Sequence, residues 1–349
     1  MRTSYHKDDV IFLLKDITGV VEPQSTEERE KQIQAGRHYC EMLPIEYVPS
    51  EKYMEAYQEA LKNYAGSTAE AVGVLADKII GKKGRNVVLV SLARAGTPIG
   101  ILLKHYIRMK YEIDVPHYSI SIIRGRGIDD NAVKFLIRHH NPADILFVDG
   151  WIGKGAILNE LEKDIAAYDG ISPELAVVAD PANVTELCGT HDDILIPSSC
   201  LNSTVSGLVS RTFLRDDVIG KDDFHGAVYY GELKDSDLSY GFIESIEKEF
   251  RMNSSKKEIK KEGLGIDEVR KLAETYDIRD INLIKPGIGE TTRVLLRRVP
   301  WKVLINSECR DDISLTHIIR LAEEKGVSIE YCPLVHYKAC GLIKKLTDV

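Results

Sequence analysis

Nothing in the 349-residue sequence approaches the ~20 consecutive apolar residues of a bilayer-spanning helix, so no membrane partner is expected. The N-terminus, MRTSYHKDDVIF, lacks the pattern of a secretory signal. There is no CxxC pair. Cys40, Cys188, Cys200, Cys309, Cys332 and Cys340 are scattered, which argues against a structural zinc and for reduced, buried thiols in a cytoplasm. Neither common nucleotide fingerprint is present. Lys154 is followed by Gly155 and Ala156, so GxxxxGK[ST] fails, and GxGxxG fails too.

What the chain does have is a series of short apolar runs, each followed by a glycine-bearing turn and a helical pattern. Asn86 to Leu92 (NVVLVSL) runs into ARAGTPIG, after which Ile99, Leu102, Leu103, Tyr106 and Ile107 share one helix face. His117 to Ile123 leads to RGRGIDDN, and a helix follows over Asn131 to His140. Ile145 to Val148 then reads as a strand buried on both faces. Asp149 ends it, Gly150 to Gly155 form a tight turn, and Leu158, Leu161 and Ile165 mark the next helix. This order is that of an α/β fold with a parallel, doubly wound sheet. Its loops at the C-terminal strand ends are where such sheets bind ligands. Two of them are suited to anions. Backbone N–H groups converge at a glycine turn before a helix, and Arg94 adds a permanent, forked charge.

Residues 1–80 read as a mostly helical segment over the core, with helices near 51–64 and 67–80. Leu175 to Ala179 and Asp193 to Pro197 read as two further strands of a core covering 81–250. Beyond them SSCLNSTVSGLVSRTF is dense in hydrogen-bonding side chains, among them Ser203 and Thr204. Residues 251–264 read as a charged linker. A small α/β unit over 265–349 follows, with helices at Asp267–Tyr276, Glu290–Arg298 and Ser314–Lys325. Its strands are expected at Ile281–Ile284, Lys302–Ile305 and Val327–Tyr331. The net charge of −8 is uneven: residues 253–349 hold 18 basic against 15 acidic side chains, leaving 28 against 39 for the rest. That bias permits an RNA partner.

The stretches SLARAGTPIG, ISIIRGRGID and DILFVDGWIGKGAI resemble loops of the type I phosphoribosyltransferases, and with SSCLNSTVSGLVSRTF, in that order, they resemble one bacterial family. KPGIGETTRVLLRR resembles the RNA-contacting strand–loop–helix of Pelota and the ribosomal kink-turn-binding proteins. Over nearly its whole length the chain resembles that bacterial family. Its members are phosphoribosyltransferase-like proteins with a C-terminal Pelota-type domain, encoded beside tellurite-resistance (Ter) stress genes. The resemblance implies phosphoribosyl diphosphate (PRPP) as substrate and Mg²⁺ as cofactor. Arg94, with the amides around Ala95 and Gly96, would hold the diphosphate, and Arg124 and Arg126 would close over it. Asp149 would hold the ribose hydroxyls or the metal's waters, and Gly153, Lys154, Gly155, Ala156 and Ile157 the 5′-phosphate. Ser203 and Thr204 would face the acceptor. RNA would meet Lys285, Gly287, Gly289, Glu290, Thr292, Arg293 and Arg297.

Two departures stand out. Gly150 replaces the family's second acid, and Gly289 stands where an Asn is usual. The expectation is a PRPP-dependent phosphoribosyltransferase making a nucleoside-like stress metabolite. The alternatives are a catalytically silent, nucleotide-sensing RNA-binding regulator, or a cysteine protease, a label the family also carries. Cys188 and Cys200 are the candidate nucleophiles for the last, although no Cys–His arrangement stands out. Oligomerisation is left open.

Overall fold

The computed structural model describes residues 1–252 and 261–343, apart from the side chains of Thr26, Glu30 and Arg297. The chain opens with two short strands, β1 (Ile11–Phe12) and β2 (Lys15–Asp16). The helices α1 (Thr26–Gln34) and α2 (Glu51–Lys83) follow. Next come β3 (Val88–Leu92), α3 (Gly96–Tyr111), β4 (His117–Ile120), the hairpin β5 (Ile122–Ile123) and β6 (Gly127–Ile128), and α4 (Asp130–His139). Then follow β7 (Ile145–Trp151), α5 (Ala156–Ile165), β8 (Leu175–Ala179), β9 (Cys188–Thr190), β10 (Gly226–Ala227) and α6 (Ser239–Glu247). Six strands form one sheet in the order β1-β4-β3-β7-β8-β9, every neighbouring pair parallel.

The sheet is central because its strands are apolar on both faces. Side chains alternate with a period of two. Leu89, Leu146, Val148, Ala176 and Val178 pack with Val72 and Leu75 of α2 and Ile99 and Leu102 of α3. Val88, Val90, Ile145, Phe147, Leu175 and Val177 pack with Val133 and Leu136 of α4 and Leu158 and Leu161 of α5. Both faces are thus covered by helices, as a parallel sheet requires. Among the described residues no helix is long and apolar enough to cross a membrane.

Several expected boundaries are corrected. The N-terminal 80 residues are not simply helical, since β1 joins the main sheet beside β4. The two helices expected at 51–64 and 67–80 are one helix of 33 residues, about 50 Å long at 1.5 Å per residue. Gly66 lies inside it, where a glycine costs only about 1 kcal/mol relative to alanine. β7 continues past Asp149 to Trp151, so Gly150 belongs to the strand and the turn begins at Ile152. Asp193 to Ile196 carries no ladder, and Pro197–Cys200 is a 3₁₀ turn. The sheet edge is instead β9. Most of the expected linker, residues 253–260, lies outside the described residues.

The C-terminal unit comprises α7 (Gly265–Thr275), β11 (Ile284–Pro286), α8 (Ile288–Arg297), β12 (Pro300–Asn306), α9 (Thr316–Glu324), β13 (Ser328–Cys332) and β14 (Ala339–Ile343). Its sheet runs β11-β14-β12-β13. β14 was not expected, and it pairs antiparallel with both β11 and β12. This unit packs on the rest of the chain along two lines. One is α2, where the Tyr53 hydroxyl donates to Leu296 O and the Tyr64 hydroxyl to Ser314 O. The other is the C-terminal edge of the main sheet. There Asp193, buried, accepts from Ile288 N at 2.9 Å and from Lys338 N at 2.9 Å. A carboxylate at the start of α8 suits the helix dipole. Gly287 precedes it with φ +95°, and a Cβ there would sit 3.1 Å from Asp193 Oδ1, so the residue must be glycine.

Asp193→Ala strands both N–H groups and is expected to destabilise the protein by on the order of 2–4 kcal/mol. Urea unfolding, with amide exchange followed at Ile288 and Lys338, reads the effect. An unchanged midpoint and unchanged exchange would show that this carboxylate does not hold the two units together.

Candidate functional site

The residues expected around a sugar phosphate fall into separate groups. Arg94 Nη2 pairs with Glu46 Oε1 at 3.1 Å, and Ser203 Oγ donates to Glu46 Oε2 at 3.2 Å. Thr204 is buried beside them. Ala95 caps α3 at its N-terminus. Gly96 is pressed against β7, where a Cβ would lie 2.6 Å from Val148 O and 3.3 Å from Asp149 Oδ1. The ARAG and β7 turns therefore do adjoin. Arg124 and Arg126 do not close over them: Arg124 Nη1 donates to Asn282 Oδ1 at 3.0 Å, and Arg126 Nη2 pairs with Glu41 at 2.9 Å.

The glycine turn after β7 is covered by the C-terminal unit. The Tyr337 hydroxyl donates to Gly153 O at 2.7 Å. Lys154 Nζ donates to Ile281 O at 2.7 Å and Ile284 O at 3.1 Å, and burial lowers its pKa to about 8. Gly155, at φ +85°, introduces α5, whose Ala156 and Ile157 follow. Burial raises Asp149 to about 7, against the opposing pull of the Gly150 N–H and of Arg293. Arg293 also lies over the Trp151 ring, 5.9 Å from its centroid.

The loop expected to meet RNA thus faces the main sheet. Gly287 and Gly289 border Asp193 and Ser199. Thr292 is buried, with Oγ1 bonded to Ile288 O and to His317 Nε2, each at 2.8 Å. Glu290 pairs with Arg293 at 3.3 Å. Lys285 is half-buried, which lowers its pKa. The Arg297 side chain lies outside the described residues.

The expectation that no cysteine sits with a histidine is corrected. Cys188 in β9 lies beside His191, just past the strand end, with Sγ 3.4 Å from Nε2 and 3.7 Å from Nδ1. His191 Nδ1 is 3.0 Å from the Asp180 carbonyl O and 3.7 Å from Asp180 Oδ2. A carbonyl only accepts, so this contact places the imidazole proton on Nδ1 and the accepting lone pair on Nε2, with the sulfur, nearly equidistant from both nitrogens, to one side of that lone pair. Asp180, at the end of β8, takes Val184 N at 2.7 Å and Thr185 N at 2.8 Å on Oδ2. Burial raises its pKa. All three residues are buried.

The register explains the meeting. Val177 pairs with Cys188 and Ala179 with Thr190, which brings the residues after both strands together. Gly189 lets α2 approach β9, since a Cβ there would sit 2.2 Å from Ala71 O. The spacing CGTH, with DP closing the neighbouring strand, was the signal available in the sequence. The C-terminal unit seals the loop over these residues. Gly265 N donates to Ala182 O at 2.9 Å, and His336 Nδ1 lies 3.2 Å from Pro181 O.

The other two cysteines of interest are less well equipped. Cys40 Sγ is 3.0 Å from His38 Nδ1, but the same nitrogen faces the Cys40 N–H at 3.4 Å, and burial pushes the thiol up to about 11. Cys200 Sγ faces Ala56 O at 4.0 Å inside the core.

Residues 3–247 match the family model described as tellurite-like stress resistance cysteine protease StiP, and residues 263–345 match the PELOTA RNA binding domain. The cysteine protease StiP of Acinetobacter baylyi is 36% identical, over 98% of this chain and 94% of that protein. A hypoxanthine-guanine phosphoribosyltransferase from Bacillus anthracis is 15% identical over 41% of this chain and 75% of that one, with a TM-score of 0.23, too slight a likeness to bear on chemistry. The expectation of a PRPP-dependent transferase is therefore corrected: the matched family and the whole-length relative are both named as cysteine proteases.

The burial of Asp149 has a measurable consequence. With a pKa of about 7 when folded and about 4 when unfolded, the native state keeps its proton where the unfolded chain has lost it. Its contribution to stability is full below pH 4 or so and declines as pH rises to about 7. Asp149→Asn is expected to flatten that decline and to be the more stable protein at pH 8. Chemical denaturation across pH 4–8 tests this, and identical profiles would refute it.

Proposed function

This chain belongs to the tellurite-like stress-resistance StiP family, and we propose that it is a cysteine protease whose nucleophile is Cys188. The observation that carries the reading is the Cys188–His191–Asp180 contact, in which a thiol, a base and a group that orients the base adjoin in that order. This is the constellation nucleophilic acyl transfer needs. His191 Nε2 would take the thiol proton as Sγ attacks the peptide carbonyl. The same proton would then pass to the leaving amine, leaving an acyl thioester for water to cleave. Asp180, through its carbonyl, fixes the tautomer that makes this exchange workable. All three residues are buried, and a peptide would enter only after the contacts of Ala182 and Pro181 with the C-terminal unit had parted.

Turnover of casein and of a fluorogenic peptide library tests the assignment. Cys188→Ser is expected to lower kcat/KM by on the order of 10³-fold or more, with Cys40→Ser and Cys200→Ser close to wild type. Undiminished turnover by Cys188→Ser would overturn the assignment.

The match of the C-terminal unit to an RNA-binding domain supports RNA as a second partner. Lys285 and Arg293 would supply phosphate contacts. Because their loop faces the main sheet, RNA would bind a form in which the two units have separated. Fluorescence anisotropy with a kink-turn hairpin should show salt-dependent binding that weakens in Lys285→Ala and Arg293→Ala. Binding indifferent to both changes and to salt would count against these contacts.

A further inference from the structure

The cluster at the end of β8 and β9 contains one atom that the protease reading does not use. Asp180 Oδ2 is occupied by two backbone N–H groups. Asp180 Oδ1 is buried and makes no hydrogen bond among the described residues. A buried carboxylate oxygen left without a partner is costly, and metal coordination is one of the few arrangements that relieves it.

Its surroundings are those of a metal ligand set. One ligand atom each from Asp180, Cys188 and His191 lies within 4.8 Å of the others. Cys188 Sγ lies 3.4 Å from His191 Nε2 and 3.7 Å from Nδ1, to one side of the Nε2 lone pair, so a turn of the ring would bring sulfur and nitrogen onto one metal at bonds of about 2.3 and 2.1 Å. The other ring nitrogen of His191 faces the Asp180 carbonyl at 3.0 Å. That is the outer contact that fixes the tautomer and orientation of a metal-bound imidazole. A thiolate, an imidazole and a carboxylate favour Zn²⁺ over Mg²⁺ or Ca²⁺, which prefer oxygen alone.

We propose that the Cys188 thiolate, His191 Nε2 and the Asp180 carboxylate form a binding site for Zn²⁺, or a divalent cation of the same borderline-soft class, which holds the thiol out of reaction. Binding exchanges the Cys188 S–H proton for the metal, so one proton is released and no redox step is involved. The fourth position is left for water or for an incoming group. The absence of CxxC pairs does not speak against the site, since it takes a single cysteine. The metal site stands on the geometry alone; its inhibitory role rests on the protease reading above.

The full-length protein, stripped with a chelator, is titrated with Zn²⁺ against a chromophoric competitor, and with Co²⁺ as a spectroscopic substitute. Expected are a single Zn²⁺ per chain and a sulfur-to-cobalt charge-transfer band. Cys188→Ala should abolish the band, and Asp180→Asn should weaken Zn²⁺ affinity at least tenfold. Cys40→Ala and Cys200→Ala should keep wild-type binding. Circular dichroism establishes that each variant is folded, and Asp180→Asn, which retains the thiol, guards against a Cys188→Ala that does not fold. In a peptidase assay Zn²⁺ should suppress turnover and a chelator restore it.

Absence of stoichiometric binding by the wild type, or binding and a cobalt band unchanged in both variants, overturns the proposal even if peptides are cleaved. Binding lost in the variants, in a protein that never cleaves peptides with or without chelator, supports the metal site and removes the protease reading.

Discussion

A buried carboxylate joins the two halves of this molecule. Asp193 stands beyond the C-terminal end of the main sheet and takes two backbone N–H groups from the other unit, one at the first turn of α8 and one at Lys338. Because both donors are main-chain groups, one buried side chain ties two separate points of the other unit's backbone rather than meeting another mobile side chain. Burial raises the Asp193 pKa to about 6, so desolvation opposes the charge even as two N–H groups favour it. The shape of the GIGE turn follows from this contact. Gly287 is glycine so that the carboxylate can approach, and the loop that in sequence reads as an RNA contact is shaped in this chain by a partner within the same chain.

Much of the main sheet was legible because burial on both faces leaves a plain record. Val88–Leu92, Ile145–Val148 and Leu175–Ala179 are continuous apolar runs, and a strand covered on both sides has no other way to be written. Elements at the margins left weaker traces. β1 has two residues and β9 three, too few for any period to show. α2 is one helix where two are expected, and packing against α3, α6 and the sheet holds it through Gly66. β14 is as long as β3, but Gly341 interrupts its apolar run, and its place in the middle of its sheet is decided by pairing on both sides.

The candidate site divides in the same way. The ARAG turn and the end of β7 do adjoin, as their shared position at strand ends suggested. What sequence could not supply was the occupant of that edge. Lys154, Gly153 and Arg124 are bonded to the C-terminal unit, and such long-range pairings leave no local pattern. Cys188, Asp180 and His191 are close in sequence, yet their convergence depends on the register of β8 against β9. A cysteine three residues before a histidine becomes chemically meaningful only once the strand between them is known to end at Thr190.

Gly189 has a consequence for how this protein would look under genetic scanning. It carries no reactive atom, yet the carbonyl of Ala71 lies where its first side-chain carbon would be. Any replacement pushes a long helix away from the strand that bears the thiol. A survey of loss-of-function alleles would accordingly place this glycine beside Cys188 and His191, when its contribution is to the spacing between two backbones. Second-site suppressors of such alleles should accumulate in the facing turn of the helix and leave Cys188, His191 and Asp180 untouched.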